Sequence, residues 1–162
     1  MGSKSKAFGI GLLCGVFVAG PLGFAAGVYY LPILTAEAGL DQRAVRALEG
    51  SATRSGYFYR DLPGSDALHW GDGKIMINAT RVWLDGKISP GPDYRLYLVE
   101  DYVDTGADFL AIKAQARQVG PIKAFTNFSL DLPADIDGNA FDAVVIWCEA
   151  FGQFITAARL EN

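Results

Sequence analysis

The chain has 162 residues, 51% of them hydrophobic, and a formal net charge of −4. From Ser51 onward ten Lys and Arg stand against fifteen Asp and Glu, a net of −5, which argues against nucleic acid and anionic lipid surfaces as partners. That length holds one ordinary domain with additions, and of its two cysteines, Cys14 and Cys148, only the second lies in the globular part, so no disulfide framework is available there.

Residues 1–6 carry Lys4 and Lys6 without an acid, and no charge occurs from Ala7 to Leu34. As a helix, residues 7–34 span about 42 Å, against a bilayer hydrocarbon core of ~30 Å. The apolar region of a signal peptide has only ~7–15 residues, so an uncleaved transmembrane anchor is expected, although Ala36-Glu37-Ala38 has the Ala-x-Ala form of a cleavage site. Cys14 follows Leu13 where lipid attachment needs a small residue. Glu37, Asp41, Arg43 and Arg46 follow the run, and the positive-inside rule then keeps the N-terminus in the cytoplasm and exports the rest. Tyr29 and Tyr30 suit the outer interface. Gly11, Gly15, Ala19, Gly23 and Gly27 recur every four residues, a stripe on which a second helix, from another copy or a larger membrane protein, can pack closely. Membrane helices are also rich in glycine without such a partner. Pro21 is expected to kink the segment.

Residues 35–50 read as an amphipathic linker. Over 36–49, Leu40, Ala44, Val45 and Leu48 share one side, and Gly50 ends the helix; a stalk or a collar on the membrane face is expected. From 51 to 162 the period changes to two. Strands are predicted at 56–60, 74–79, 80–85, 94–100, 127–132, 143–151 and 153–160, separated by Gly, Pro and Asp clusters. The exported domain is therefore expected to be mainly β, an antiparallel β-sandwich of about seven to nine short strands. Residues 105–119 are ambiguous, a loop with a helical turn.

Few residues carry candidate chemistry. With one histidine, His69, and no Gly-x-Ser-x-Gly elbow, no serine hydrolase pattern forms. One Cys and one His are too few for zinc. Asp135, Asp137 and Asn139 alternate like a calcium loop, but the glycine and the closing Glu are misplaced. The sequons at Asn78 and Asn127 both fall at predicted strands. On a strand over 143–151, Val144, Ile146 and Cys148 share one face and Val145, Trp147 and Glu149 the other. Cys148 is then either a buried small apolar residue or a working thiol or ligand. His69 satisfies a local turn or binds a group, and Trp147 is core or a cofactor-stacking residue.

Four segments resemble one family. "SGYF" (55–58) is similar to its opening Ser-Gly-x-Phe strand, "HWGDGKIMI" (69–77) to its His followed by a Gly-led strand, and "GPDYRLYL" (91–98) to its Pro-Asp-x-x-x-Tyr-Leu strand. "VVIWCEAFGQFITAARL" (144–160) is similar to the Trp-Cys-x-x-Phe signature and its Ala-x-Leu close. On these residues the exported domain resembles the DM-thirteen family of electron-transfer modules, found alone in membrane-anchored bacterial proteins and elsewhere beside DOMON and b-type cytochrome domains. In the middle the chain departs from the family: "QVGPIKAFTNFSLDLP" (118–133) lacks the Gly-x-Gln element, which weakens any ligand contact expected of that loop.

The resemblance implies electron transfer through Cys148, as a naked thiol or as ligand to a prosthetic group, and with the topology read above this places the domain in the periplasm, on a single-pass protein of a bacterial inner membrane. Haem is the candidate group, with His69 as second ligand and Trp147 beside it. Such a chain is an electron carrier or an accessory protein rather than an enzyme with its own turnover. Glu100, Asp101, Asp104 and Asp108 could dock a cationic redox protein such as a c-type cytochrome, or simply form a solvated loop. The competing reading is an accessory or assembly subunit that packs through its glycine-striped helix.

Overall fold

The computed structural model describes residues 3–162, with side chains from Ala7 onward. The chain divides after Thr35 into two compact units. Helix α1 (Ser3–Thr35) continues through Pro21 and Pro32, and its Ala7–Thr35 portion is long and apolar enough to cross a membrane. Gly11, Gly15, Gly23 and Gly27 leave open space where a Cβ would stand.

In the second unit, residues 36–41 run extended beside the 123–127 segment. The Glu37 amide donates to the Lys123 carbonyl at 2.9 Å and the Leu40 amide to that of Asn127 at 2.9 Å. Asp41 then starts α2 (Gln42–Glu49), its carboxylate accepting from the Ala44 amide at 2.8 Å. The helix is shorter than the predicted 36–49 because its first residues pair as extended chain. Its apolar side buries Val45 against Met76 and Trp83, with Leu40 and Leu48 partly buried beside them. The stripe that suggested a membrane collar thus covers a sheet.

Eight strands form two antiparallel four-stranded sheets, as the alternating pattern led one to expect. β1 (Arg54–Phe58), β2 (Gly71–Ile77), β3 (Arg81–Ile88) and β6 (Ser129–Asp131) lie in that spatial order. In the second sheet the order is β5 (Arg117–Pro121), β4 (Tyr94–Val99), β7 (Ala143–Cys148), β8 (Gln153–Arg159). Alternation puts Ile75, Val82, Leu84, Leu96, Val144 and Ile146 into the core between the sheets, and Tyr97, Val145 and Trp147 on the outer face of the second. There α3 (Gly106–Ile112) covers them with Phe109. Burial of one such ring contributes ~1.5–3 kcal/mol, more than a seven-residue helix gains from its own propensity. With both faces covered, all six residues of β7 are buried, which is why AVVIWC reads as a continuous apolar run.

The ambiguous 105–119 stretch holds α3 and the start of β5. Thr105 caps α3 by accepting from the Asp108 amide, and its hydroxyl donates to the Asp108 carboxylate at 2.6 Å, so Thr-x-x-Asp was the local signal for a helix start. β5 was illegible because it is an edge strand with no buried residue. At the opposite edge β1 meets β8: the Arg54 guanidinium donates to the carbonyls of Phe141 and Leu160, each at 2.6 Å, and to Asp142 at 3.0 Å.

Candidate functional site

Cys148 ends β7 opposite Tyr94, the first residue of β4, where the chain turns through Glu149–Gly152 into β8. Gly152 takes φ +59°, a conformation glycine adopts without strain. The Cys148 side chain faces the core between the sheets and is 2% exposed. Its thiol donates to the Pro92 carbonyl at 3.0 Å. Burial pushes the thiol pKa up; the backbone amides of Phe151 and Ala150 oppose this, while Asp93 and Glu149 add to it. The net result is a protonated thiol that joins the β7–β8 turn to the β3–β4 connection.

Tyr94 closes the site from below. Its hydroxyl lies where a Cβ on Gly91 would collide, at 2.3 Å, and bonds to Ser89; burial raises its pKa to about 12. Ser89 in turn holds Trp70: its amide donates to the Trp70 carbonyl at 2.9 Å and its hydroxyl accepts from the Trp70 amide at 3.1 Å. His69 therefore belongs to the same end of the sandwich as Cys148. The His69 imidazole is bound by Asp66, with Nδ1 2.9 Å from the carboxylate, and the same carboxylate accepts from the Leu68 and His69 amides. His69 is thus tied into a local turn through Nδ1.

Trp147 faces the other way. It packs under α3 against Phe109, ring centroids 5.2 Å apart, and Phe109 lies 5.2 Å from Tyr97. Over this cluster Glu149 receives the Tyr97 hydroxyl and pairs with the Lys113 ammonium at 2.7 Å, while the Gln118 amide group lies 2.9 Å from the Tyr97 oxygen. Burial by itself would raise the Glu149 pKa, but the hydrogen bonds from Lys113 and Tyr97 outweigh it and hold the carboxyl below its ordinary value. Burial first, and then Glu149, push the Tyr97 phenol up. Lys113 stands 5.4 Å from the Trp147 ring centroid. Period-two reading placed Trp147 and Glu149 on this face, but gave no sign of Tyr97, Lys113 and Gln118, which come from two other strands and a helix end.

His69, Trp147 and Cys148 therefore do not converge. A haem bound by all three does not fit: Cys148 is closed beneath the Pro92 carbonyl, and Trp147 lies across the sheet from it. Among the acidic residues, Glu100 and Asp101 are exposed beside a cleft of about 240 Å³ lined also by Val99 and Ile112. Asp108 caps α3, and the Asp104 carbonyl accepts from the Gly64 amide at 2.8 Å. Asp137 caps a 3-10 turn at Gly138–Ala140, and Asp135 pairs with Arg117 at 2.5 Å. Asn127, at φ 47°, is buried, its side chain bonding the Gly86 amide and the Leu40 carbonyl.

Comparison with curated proteins and with solved structures finds no match. The family model described as Electron transfer DM13 matches residues 63–160, from the Asp66–His69 turn through β8, and over this majority of its length the chain belongs to the DM13 family of electron-transfer domains.

Proposed function

We propose that the chain is a membrane-tethered redox carrier whose working group is the Cys148 thiol, held on the outer, periplasmic side by an uncleaved α1. Family membership carries the electron-transfer part. The observation favouring the thiol is its setting: the one cysteine of the globular unit sits at a turn whose amides oppose the burial that keeps it protonated. Lys4 and Lys6 before the apolar run support the orientation. In this role Cys148 exchanges with a protein disulfide. Its sulfur bonds to one partner sulfur, the partner S–S bond breaks, and the released sulfur leaves as a thiol with the proton from Cys148. The mixed disulfide is then resolved by a second thiol. Access requires the Glu149–Gly152 turn to open, and Phe151, 59% exposed, is the residue a partner meets there. The Glu100–Asp108 loop favours a cationic partner.

A second reading, an accessory subunit packed through the glycine stripe of α1, draws support from the burial of Cys148. Incubation of the full chain, in a Cys14→Ser background, with glutathione disulfide separates the two. The carrier predicts a glutathione adduct on Cys148 in the folded chain, reversed by dithiothreitol. No adduct on the folded chain, with ready modification of the same chain in urea, leaves the accessory reading standing. Gly15→Leu or Gly23→Leu then abolishes helix association.

A further inference from the structure

Where β1 meets β8, an open cleft of about 550 Å³ separates the side chains of the two sheets, within the ~300–1,000 Å³ range of small-molecule sites. It follows from Gly56. A Cβ there would lie 2.1 Å from the Arg159 carbonyl oxygen and 3.2 Å from the Ala158 Cβ, so the strands come this close at the floor only because residue 56 is glycine. Tyr57, Tyr59 and Lys74 line it from one sheet, and Tyr102, Arg159 and Glu161 from the other side.

Two of the rings form a bent pair. Tyr57 and Tyr59 are 44% and 57% exposed, so the core does not use them, and their centroids are 4.9 Å apart with the ring planes inclined at 43°. The Tyr57 hydroxyl donates to Asp72 at 3.3 Å, and the Arg159 guanidinium backs the Tyr102 ring at 5.0 Å. Charge is balanced: Lys74 pairs with Glu49 at 3.0 Å, and Arg159 shares the cleft with Glu161. Aromatic surface with a neutral, hydrogen-bonding rim suits a ligand with apolar flat faces and polar edges.

We propose that this cleft binds a neutral oligosaccharide, with pyranose faces stacked on Tyr57 and Tyr59 and hydroxyls bonded by Lys74, Arg159 and Glu161. Two adjacent rings inclined at 43° match the curved chain of α-1,4-linked pyranoses better than the flat ribbon of β-1,4-linked ones. The site is separate from the redox reading, because neither Cys148 nor its turn lines the cleft.

The test is calorimetric titration of the full chain in lipid nanodiscs, free of glycosidic detergent, with cellohexaose and with maltohexaose. Saturable binding of maltohexaose, weaker for cellohexaose, is expected. Tyr57→Ala and Tyr59→Ala each weaken it about fivefold to tenfold, the loss of one stacked ring, while Tyr59→Phe retains it. Both alanine variants stay folded, since neither ring belongs to the core, and Cys148→Ser binds as the parent does. Absence of saturable maltohexaose binding, or binding unaffected by both alanine variants, overturns the proposal. Equal binding of cellohexaose overturns the preference for the curved chain.

Discussion

Replacing Cys148 by alanine and by serine separates what the sulfur does for the fold from what it does for redox chemistry. Alanine removes the donor to the Pro92 carbonyl, at 3.0 Å, and the atom facing the amides of Ala150 and Phe151. One buried acceptor left without its partner costs ~1–3 kcal/mol, and a void of about one methyl group adds ~1 kcal/mol. Cys148→Ala should therefore lose about 2–4 kcal/mol. Serine keeps a donor and an acceptor at the same place, and its stronger hydroxyl bonds offset its smaller volume, so Cys148→Ser should lie within ~1 kcal/mol of the parent. All three tryptophans, Trp70, Trp83 and Trp147, lie in the globular unit, so fluorescence-detected urea unfolding of the full chain in micelles reads this difference. Equal losses for the two variants would refute the hydrogen-bonded role of the thiol. With that role established, loss of electron transfer in folded Cys148→Ser speaks for chemistry alone.

Three further outcomes follow from the geometry. The Glu149 pKa is lowered on folding, so its stabilisation is complete above the unfolded carboxyl value of ~4.3 and is lost as pH falls through the folded value; Glu149→Gln should cost ~1–3 kcal/mol at neutral pH and flatten the acid limb of an unfolding titration. The Cys148 and Tyr94 pKa values are raised, the latter to about 12, so their contribution is complete below the unfolded thiol value of ~8.5 and is lost as pH rises through the folded values; iodoacetamide should accordingly label Cys148 in the folded Cys14→Ser chain far more slowly than in urea at pH 8.5, and equal rates would contradict its burial. Gly73 takes φ +131° with a Cβ position 2.3 Å from the Asp85 carbonyl oxygen, so Gly73→Ala should lower stability by at least ~2 kcal/mol, whereas Gly120→Ala, with open space at its Cβ, should change it by no more than ~0.5 kcal/mol.

Particular residues show how far local pattern reaches. Val144, Ile146 and Cys148 alternate with Val145 and Trp147, and both sets face where the period of two puts them. His69 could be read as a turn residue because Asp66 lies three positions before it. The extended start of the linker could not be read, since its partners at Lys123 and Asn127 are more than eighty positions away. The edge strand β5 escaped as well: with one neighbour and mostly exposed side chains, it has no buried face to impose alternation.

By itself the sequence determined the apolar helix, the antiparallel sandwich and the family, because each is written in short-range hydrophobic period, turn residues and motif spacing. Only the tertiary structure decided what happens to the faces those periods create. It closed the thiol beneath Pro92, 56 positions away in the chain, and turned Trp147 to the far side of the same strand under α3. It also opened a tyrosine-lined cleft where Gly56 allows two sheet edges to touch. Side-chain direction along a strand is local geometry, whereas covering and access depend on which distant segment folds over it.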